Sequence, residues 1–141
     1  MGQSLEVRIE QVGPSTAKGI ARTHSVLIDR PVAKGGEDRG PLGGEYLLLA
    51  LGGCFMSNLL AAIRARDSNI SDVHTEVIGT IADSPARFET LELVITADGP
   101  DREALPRLVE IADRGCIMMN TLRGKLDVKL RIGISRHSIA Q

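Results

Sequence analysis

The chain has 141 residues, by length one domain spanning residues 1–141, and is large enough to bury a core. Its net charge of −1, with 25% charged residues of both signs, excludes the clustered basic excess of a nucleic-acid-binding surface. Hydrophobic residues make up 43% and argue against disorder, while aromatics at 2% leave the core to Leu, Ile, Val and Ala and offer no stacking platforms for bases.

The opening stretch "MGQSLEVRIE" alternates, with Leu5, Val7 and Ile9 on one side and Glu6, Arg8 and Glu10 on the other, as in a half-buried strand. It has no apolar segment of the kind a signal peptide needs. Glu6 also stands where a myristoylation pattern requires Ser or Thr. A cytoplasmic protein is expected, in which a structural disulfide is not the default use of two cysteines. Gly13-Pro14-Ser15 ends the strand, and a second extended run from Lys18 to about Asp29 follows. A regular strand there puts Arg22 on the face of Ile20, pointing inward. The glycine-rich "RPVAKGGEDRGPLGG" (30–44) is a loop long enough to suggest function or an interface.

Residues 43–63, "GGEYLLLALGGCFMSNLLAAI", place one acid, one thiol and one amide in an otherwise apolar run. A helix is predicted from near Glu45 to Arg66. Its apolar part, Tyr46 to Ile63, is at the lower edge of a membrane span, but it contains Gly52, Gly53, Ser57 and Asn58, so a buried core helix and no membrane are expected. A helix apolar on all sides must be covered on all sides. One chain can hardly do that, and the economical solution is a homodimer whose sheets wrap paired central helices.

Residues 73–82 and 87–97 read as strands joined at Asp83-Ser84-Pro85. After "DGPD" an amphipathic helix runs to Arg114, with Leu105, Leu108 and Ile111 on one stripe and Pro106 moving its regular start to near Leu105. A last strand alternates from Leu126 to Ile134. The order ββ-α-ββ-α-β defines an α+β domain with antiparallel-rich sheets.

Two cysteines remain to be placed, Cys54 in the long helix and Cys116 just after the second. Zinc is not expected, because His24, His74 and His137 form no ligand pattern with them, and neither a CxxC pair nor a phosphate-binding glycine loop is present. No cofactor is called for. Cysteine often packs as a small hydrophobe, so composition alone favours a packing role for Cys54. Two features weigh against it. Gly52-Gly53 costs roughly 1 kcal/mol per glycine in a helix, which suggests a bend or a close approach, and Cys116 also follows a glycine, Gly115.

The stretch "GPLGGEYLLLALGGCFMSNLL" resembles the first cysteine motif of the OsmC/Ohr family of organic hydroperoxide reductases, an acidic residue heading an apolar helix with cysteine nine positions on, here Glu45 and Cys54. "DRGCIMMNTLRGKLDVKL" resembles the second motif, and the likeness covers essentially the whole chain.

The resemblance implies an OsmC-like intertwined homodimer acting as a thiol-dependent peroxidase. Cys54 would attack the peroxide and become a sulfenic acid, Cys116 would resolve it, and a dithiol reductant of lipoyl type would restore both. Phe55, Met56, Met118 and Met119 would line an apolar cleft for an organic hydroperoxide. The family also implies an arginine held by the glutamate, here Glu45 with Arg22, or alternatively Arg30. This chain departs from the pattern at Ile117, where many relatives have proline, and in its 30–44 loop. Nine residues of helix turn roughly 900° and rise about 13.5 Å, placing Glu45 and Cys54 about 180° apart. A composite site follows as an expectation, with Glu45 and its arginine from a second copy. The competing reading is a non-catalytic dimeric ligand-binding or redox-sensing module.

Overall fold

In the computed structural model, residues 2–134 are described. They form two compact units, one up to Leu47 and one from Leu48 onward. His137 lies outside the described residues.

The first unit is an antiparallel sheet of β1 (Arg8–Gln11), β2 (Ala17–Ala21) and β3 (His24–Ile28), in that order. Ile9, Gly19 and Val26 are in register across it. The run expected as one strand from Lys18 is thus two, folded back at Arg22-Thr23 between the paired Ala21 and His24. A two-residue hairpin favours a residue of positive φ, and Arg22 supplies it at φ 57°. The alternation at Leu5, Val7 and Ile9 is not half-buried within this chain, since these residues are 89, 65 and 63% exposed.

After β3 the chain is organised around Asp29, which is 3% exposed. Its carboxylate accepts from the Thr16 hydroxyl at 2.8 Å, the Arg30 N–H at 2.7 Å and the Arg39 N–H at 3.2 Å. Burial opposes its ionisation and is the largest single influence. The Arg30 N–H, the Thr16 and Ser15 hydroxyls and the Arg39 N–H outweigh it and hold the carboxyl well below the usual range. The 30–44 loop is therefore ordered by one buried charge and a 3-10 turn at Val32–Lys34.

Helix α1 (Gly43–Ala65) runs without interruption through Gly52-Gly53. The second unit contains its larger part, with the hairpin β4 (Ser71–Ala82) and β5 (Arg87–Asp98), helices α2 (Leu105–Gly115) and α3 (Ile117–Leu122), and β6 (Asp127–Ile132). β4 and β5 are antiparallel; β5 and β6 are parallel, with Leu91 opposite Val128 and Leu93 opposite Leu130. A parallel pair needs a long crossover, and α2 with α3 provides it. The expected order holds with one added strand and one added short helix, and Pro106 sits in the first turn of α2 as its position implied.

Every fourth residue of α1 enters the core at Leu51, Phe55 and Leu59, each fully buried. They share it with Leu91, Leu93 and Ile95 of β5 and Leu105 and Leu108 of α2, each such side chain contributing about 1.5–3 kcal/mol relative to exposure. Gly52 explains itself here. A Cβ at that position would lie 2.7 Å from Val77 Cγ2 on β4, so the glycine permits close helix–sheet approach, whereas Gly53 faces open space. α1 is long and apolar enough to cross a bilayer by length and composition, a weak indication that core helices of soluble proteins share. Leu49 and Leu60 on it are 59 and 43% exposed, so this chain alone does not cover the helix.

Candidate functional site

Cys54 lies in the middle of α1, one residue from the buried Phe55, and is partly accessible. Cys116 lies where α2 stops and α3 starts, in an extended conformation (φ −84°, ψ 117°) that breaks the helical path. It is fully buried. The two sulfurs face each other at 3.2 Å, with the Cys116 thiol donating to Cys54 Sγ. Both are free thiols.

Cys116 is held on two further sides. Its sulfur accepts from the Met119 N–H at 3.5 Å and so caps the N-terminus of α3. The end of that helix is tied to α2 by the Asn120 amide donating to the Arg114 carbonyl at 3.0 Å and by an Arg123–Asp113 ion pair. Burial pushes the Cys116 thiol above its ordinary value, and the neighbouring Cys54 sulfur adds to the rise, against the pull of the Met119 and Met118 N–H groups. Burial and the neighbouring sulfur thus both favour the protonated form of Cys116.

The other expected residues are placed differently. Glu45, in the first turn of α1, accepts from the Leu42 N–H at 2.8 Å, the reach-back half of a capping box. Its described hydrogen bond is thus to backbone. Arg22 sits exposed on the β2–β3 turn, so it does not share an inward strand face with Ile20; the chain reverses there. Arg30 is exposed, its N–H bonded to Asp29. Of the apolar residues expected to line a cleft, Phe55 and Met119 are core, while Met56 and Met118 are half-buried.

One residue had no part assigned from sequence. Asn58, one turn after Cys54, donates from Nδ2 to the Cys54 carbonyl at 3.0 Å. The signal available was its isolation as the single amide of an apolar helix.

A buried thiol held 3.2 Å from a partly accessible one, on an α+β scaffold, is the chemical feature of this site. Residues 35–131, over two thirds of the chain, match the family model described as OsmC-like protein, and the chain belongs to that family. No functionally curated protein matches it.

Among solved structures it is similar to an OsmC-like protein from Mycoplasma pneumoniae, at 17% identity and TM-score 0.83 over 96% of this chain and 100% of that one. It is similar to the organic hydroperoxide resistance protein OhrB of Bacillus subtilis, at 21% identity and TM-score 0.68 over 93 and 98%. An organic hydroperoxide resistance protein from Elizabethkingia anophelis follows at 18% identity and TM-score 0.73 over 96 and 99%. At such identities the likeness is one of fold, and the α+β OsmC/Ohr architecture is shared by all three.

Proposed function

We propose that the protein is a thiol peroxidase that reduces organic hydroperoxides with Cys54 and Cys116. The observation that carries this reading is the 3.2 Å contact between a partly accessible and a buried sulfur. In the first step the Cys54 thiolate attacks one peroxide oxygen, the O–O bond breaks, and with one proton the products are a Cys54 sulfenic acid and an alcohol. Cys116 then attacks the sulfenic sulfur, losing its proton, and the hydroxyl leaves as water. A small dithiol of lipoyl type reduces the Cys54–Cys116 disulfide and is itself oxidised to a disulfide.

Glu45 and Arg22 serve the first step in this reading, the guanidinium stabilising the thiolate and the departing alkoxide. Both come from a second copy of the chain, and the two units of each copy work as one domain. The uncovered apolar side chains Leu49 and Leu60 support a homodimer. A cytoplasmic setting, where dithiol reductants keep thiols reduced, suits the cycle.

The test is a coupled assay with cumene hydroperoxide and dihydrolipoamide. Continuous turnover is expected. A single stoichiometric oxidation to the disulfide without turnover would favour the redox-sensing module instead.

A further inference from the structure

We propose that Asn58 is a positioning residue that clamps the two cysteine segments together and so sets how readily Cys54 and Cys116 join. The proposal rests on the two-thiol reading above and adds to it a residue outside the reacting atoms.

One hydrogen bond and one close approach, one on each segment, carry it. On α1 the Asn58 Nδ2 donates to the carbonyl of Cys54 itself, at 3.0 Å. On α2 the other end of the same amide lies against Gly115, the residue immediately before Cys116. A Cβ at Gly115 would stand 3.0 Å from Asn58 Oδ1 and 3.8 Å from Cγ. The amide is therefore bonded to the backbone of one cysteine and stands beside the backbone leading into the other. Gly115 closes α2 without a left-handed φ, so its backbone conformation does not require glycine. A methyl group there would instead press on Oδ1, which would have to shift by a few tenths of an ångström.

The chemistry fits. Joining the sulfurs takes them from 3.2 Å to a bond of about 2.05 Å, so travel of roughly 1.2 Å is all that is needed if the two backbones are held at fixed spacing. Because the far side of Cys116 is already fastened through α3 to Met119, the free variable is the distance from Gly115 to α1. Asn58 occupies that distance. An amide in an apolar helix carries a desolvation cost unless it is bonded, and here its bond goes to the residue whose chemistry it would regulate.

The test uses thiol–disulfide exchange without any peroxide. Reduced protein is equilibrated with oxidised and reduced glutathione, one oxidised glutathione being converted to two reduced ones for each Cys54–Cys116 disulfide formed. Asn58→Ala is expected to weaken the disulfide about tenfold, a reduction potential less negative by about 30 mV. Gly115→Ala, which keeps Asn58 and only displaces its amide, is expected to move the potential the same way. The double variant should lose no more than Asn58→Ala alone, since the added methyl then has no amide to meet.

A wild-type potential in Asn58→Ala, or fully additive shifts in the double variant, overturns the proposal. If Asn58→Ala does not fold, Gly115→Ala decides, an unshifted potential overturning it. A wild-type protein that forms the disulfide but turns over no peroxide removes the peroxidase reading and leaves this one standing. A wild-type protein that forms no Cys54–Cys116 disulfide overturns both.

Discussion

Val77 occupies the space that a side chain at Gly52 would need: a Cβ there would come within 2.7 Å of Val77 Cγ2. The pair sets how closely α1 can lie on β4. Gly52→Ala is expected to destabilise the protein by about 1–3 kcal/mol through overpacking, although Ala is the better helix former by about 1 kcal/mol. Adding Val77→Ala should recover part of the loss. Urea unfolding of the single and double variants checks this, and a Gly52→Ala protein as stable as wild type would mean that the contact yields freely.

The proposed cycle predicts different losses for the two thiols, which differ in burial. Cys54→Ser should abolish peroxide reduction. Cys116→Ser should allow one turnover and then stall, with Cys54 accumulating as sulfenic and sulfinic acid visible by mass spectrometry. Equal loss in single-turnover reduction by both variants would reverse the assignment.

Glu45 caps its own helix through the Leu42 N–H, and Cys54 lies nine positions further along it. If a second copy supplies the acid, mixing Cys54→Ser with Glu45→Ala subunits should restore activity, because the heterodimer holds one site in which both residues are intact. Sites built within one chain predict no recovery.

Arg22 offers a variant in which structure and chemistry should move in opposite directions. Its φ of 57° is unfavourable for a side-chain-bearing residue, by roughly 1–2 kcal/mol. Arg22→Gly removes the guanidinium while easing the backbone, so stability is expected to hold or rise. The value of kcat/KM is expected to fall by about 100-fold, the scale for losing one charge-stabilising group. Arg30→Ala should leave kcat/KM unchanged. Unchanged kcat/KM in Arg22→Gly would confine Arg22 to the turn.

Asp29 makes the first unit sensitive to acid. Its carboxyl is held below the ordinary value, so the unfolded chain binds the proton more readily. The stability it contributes is fully present above the ordinary carboxylate pKa of about 4 and is lost as pH falls below it. Asp29→Asn should be less stable than wild type at neutral pH and should show a flatter decline between about pH 4 and 2. Parallel declines in the two proteins would show that another group governs acid unfolding.

The elements with long, regular patterns were legible from the residues: the apolar run of α1, the hairpin around Ser84-Pro85 and the alternation of β6. The turn at Arg22-Thr23 was not, because it lacks the Gly, Asn or Asp that usually supplies a positive φ. With the reversal hidden, the inward direction of Arg22 was misread. α3 escaped notice because six residues are too few to display a helical period and its cap is a sulfur, outside the usual capping types. The meeting of Cys54 and Cys116 across 62 positions could not come from spacing; family resemblance suggested it, and the crossover through α2 produces it. Asn58 was visible as an isolated amide, but its partners are a backbone carbonyl and an absent side chain, neither of which a one-dimensional reading can display.

A six-residue helix has little intrinsic tendency to persist, and α3 begins on a lone pair of Cys116 Sγ. Whatever happens to that sulfur reaches the Met119 amide directly, as a change in what its hydrogen is bonded to. The chain thus has its own gauge of oxidation state. In a nitrogen-15 spectrum the Met119 amide would report the thiol or the disulfide through its chemical shift and its rate of exchange with solvent, with no dye, label or substrate in the tube.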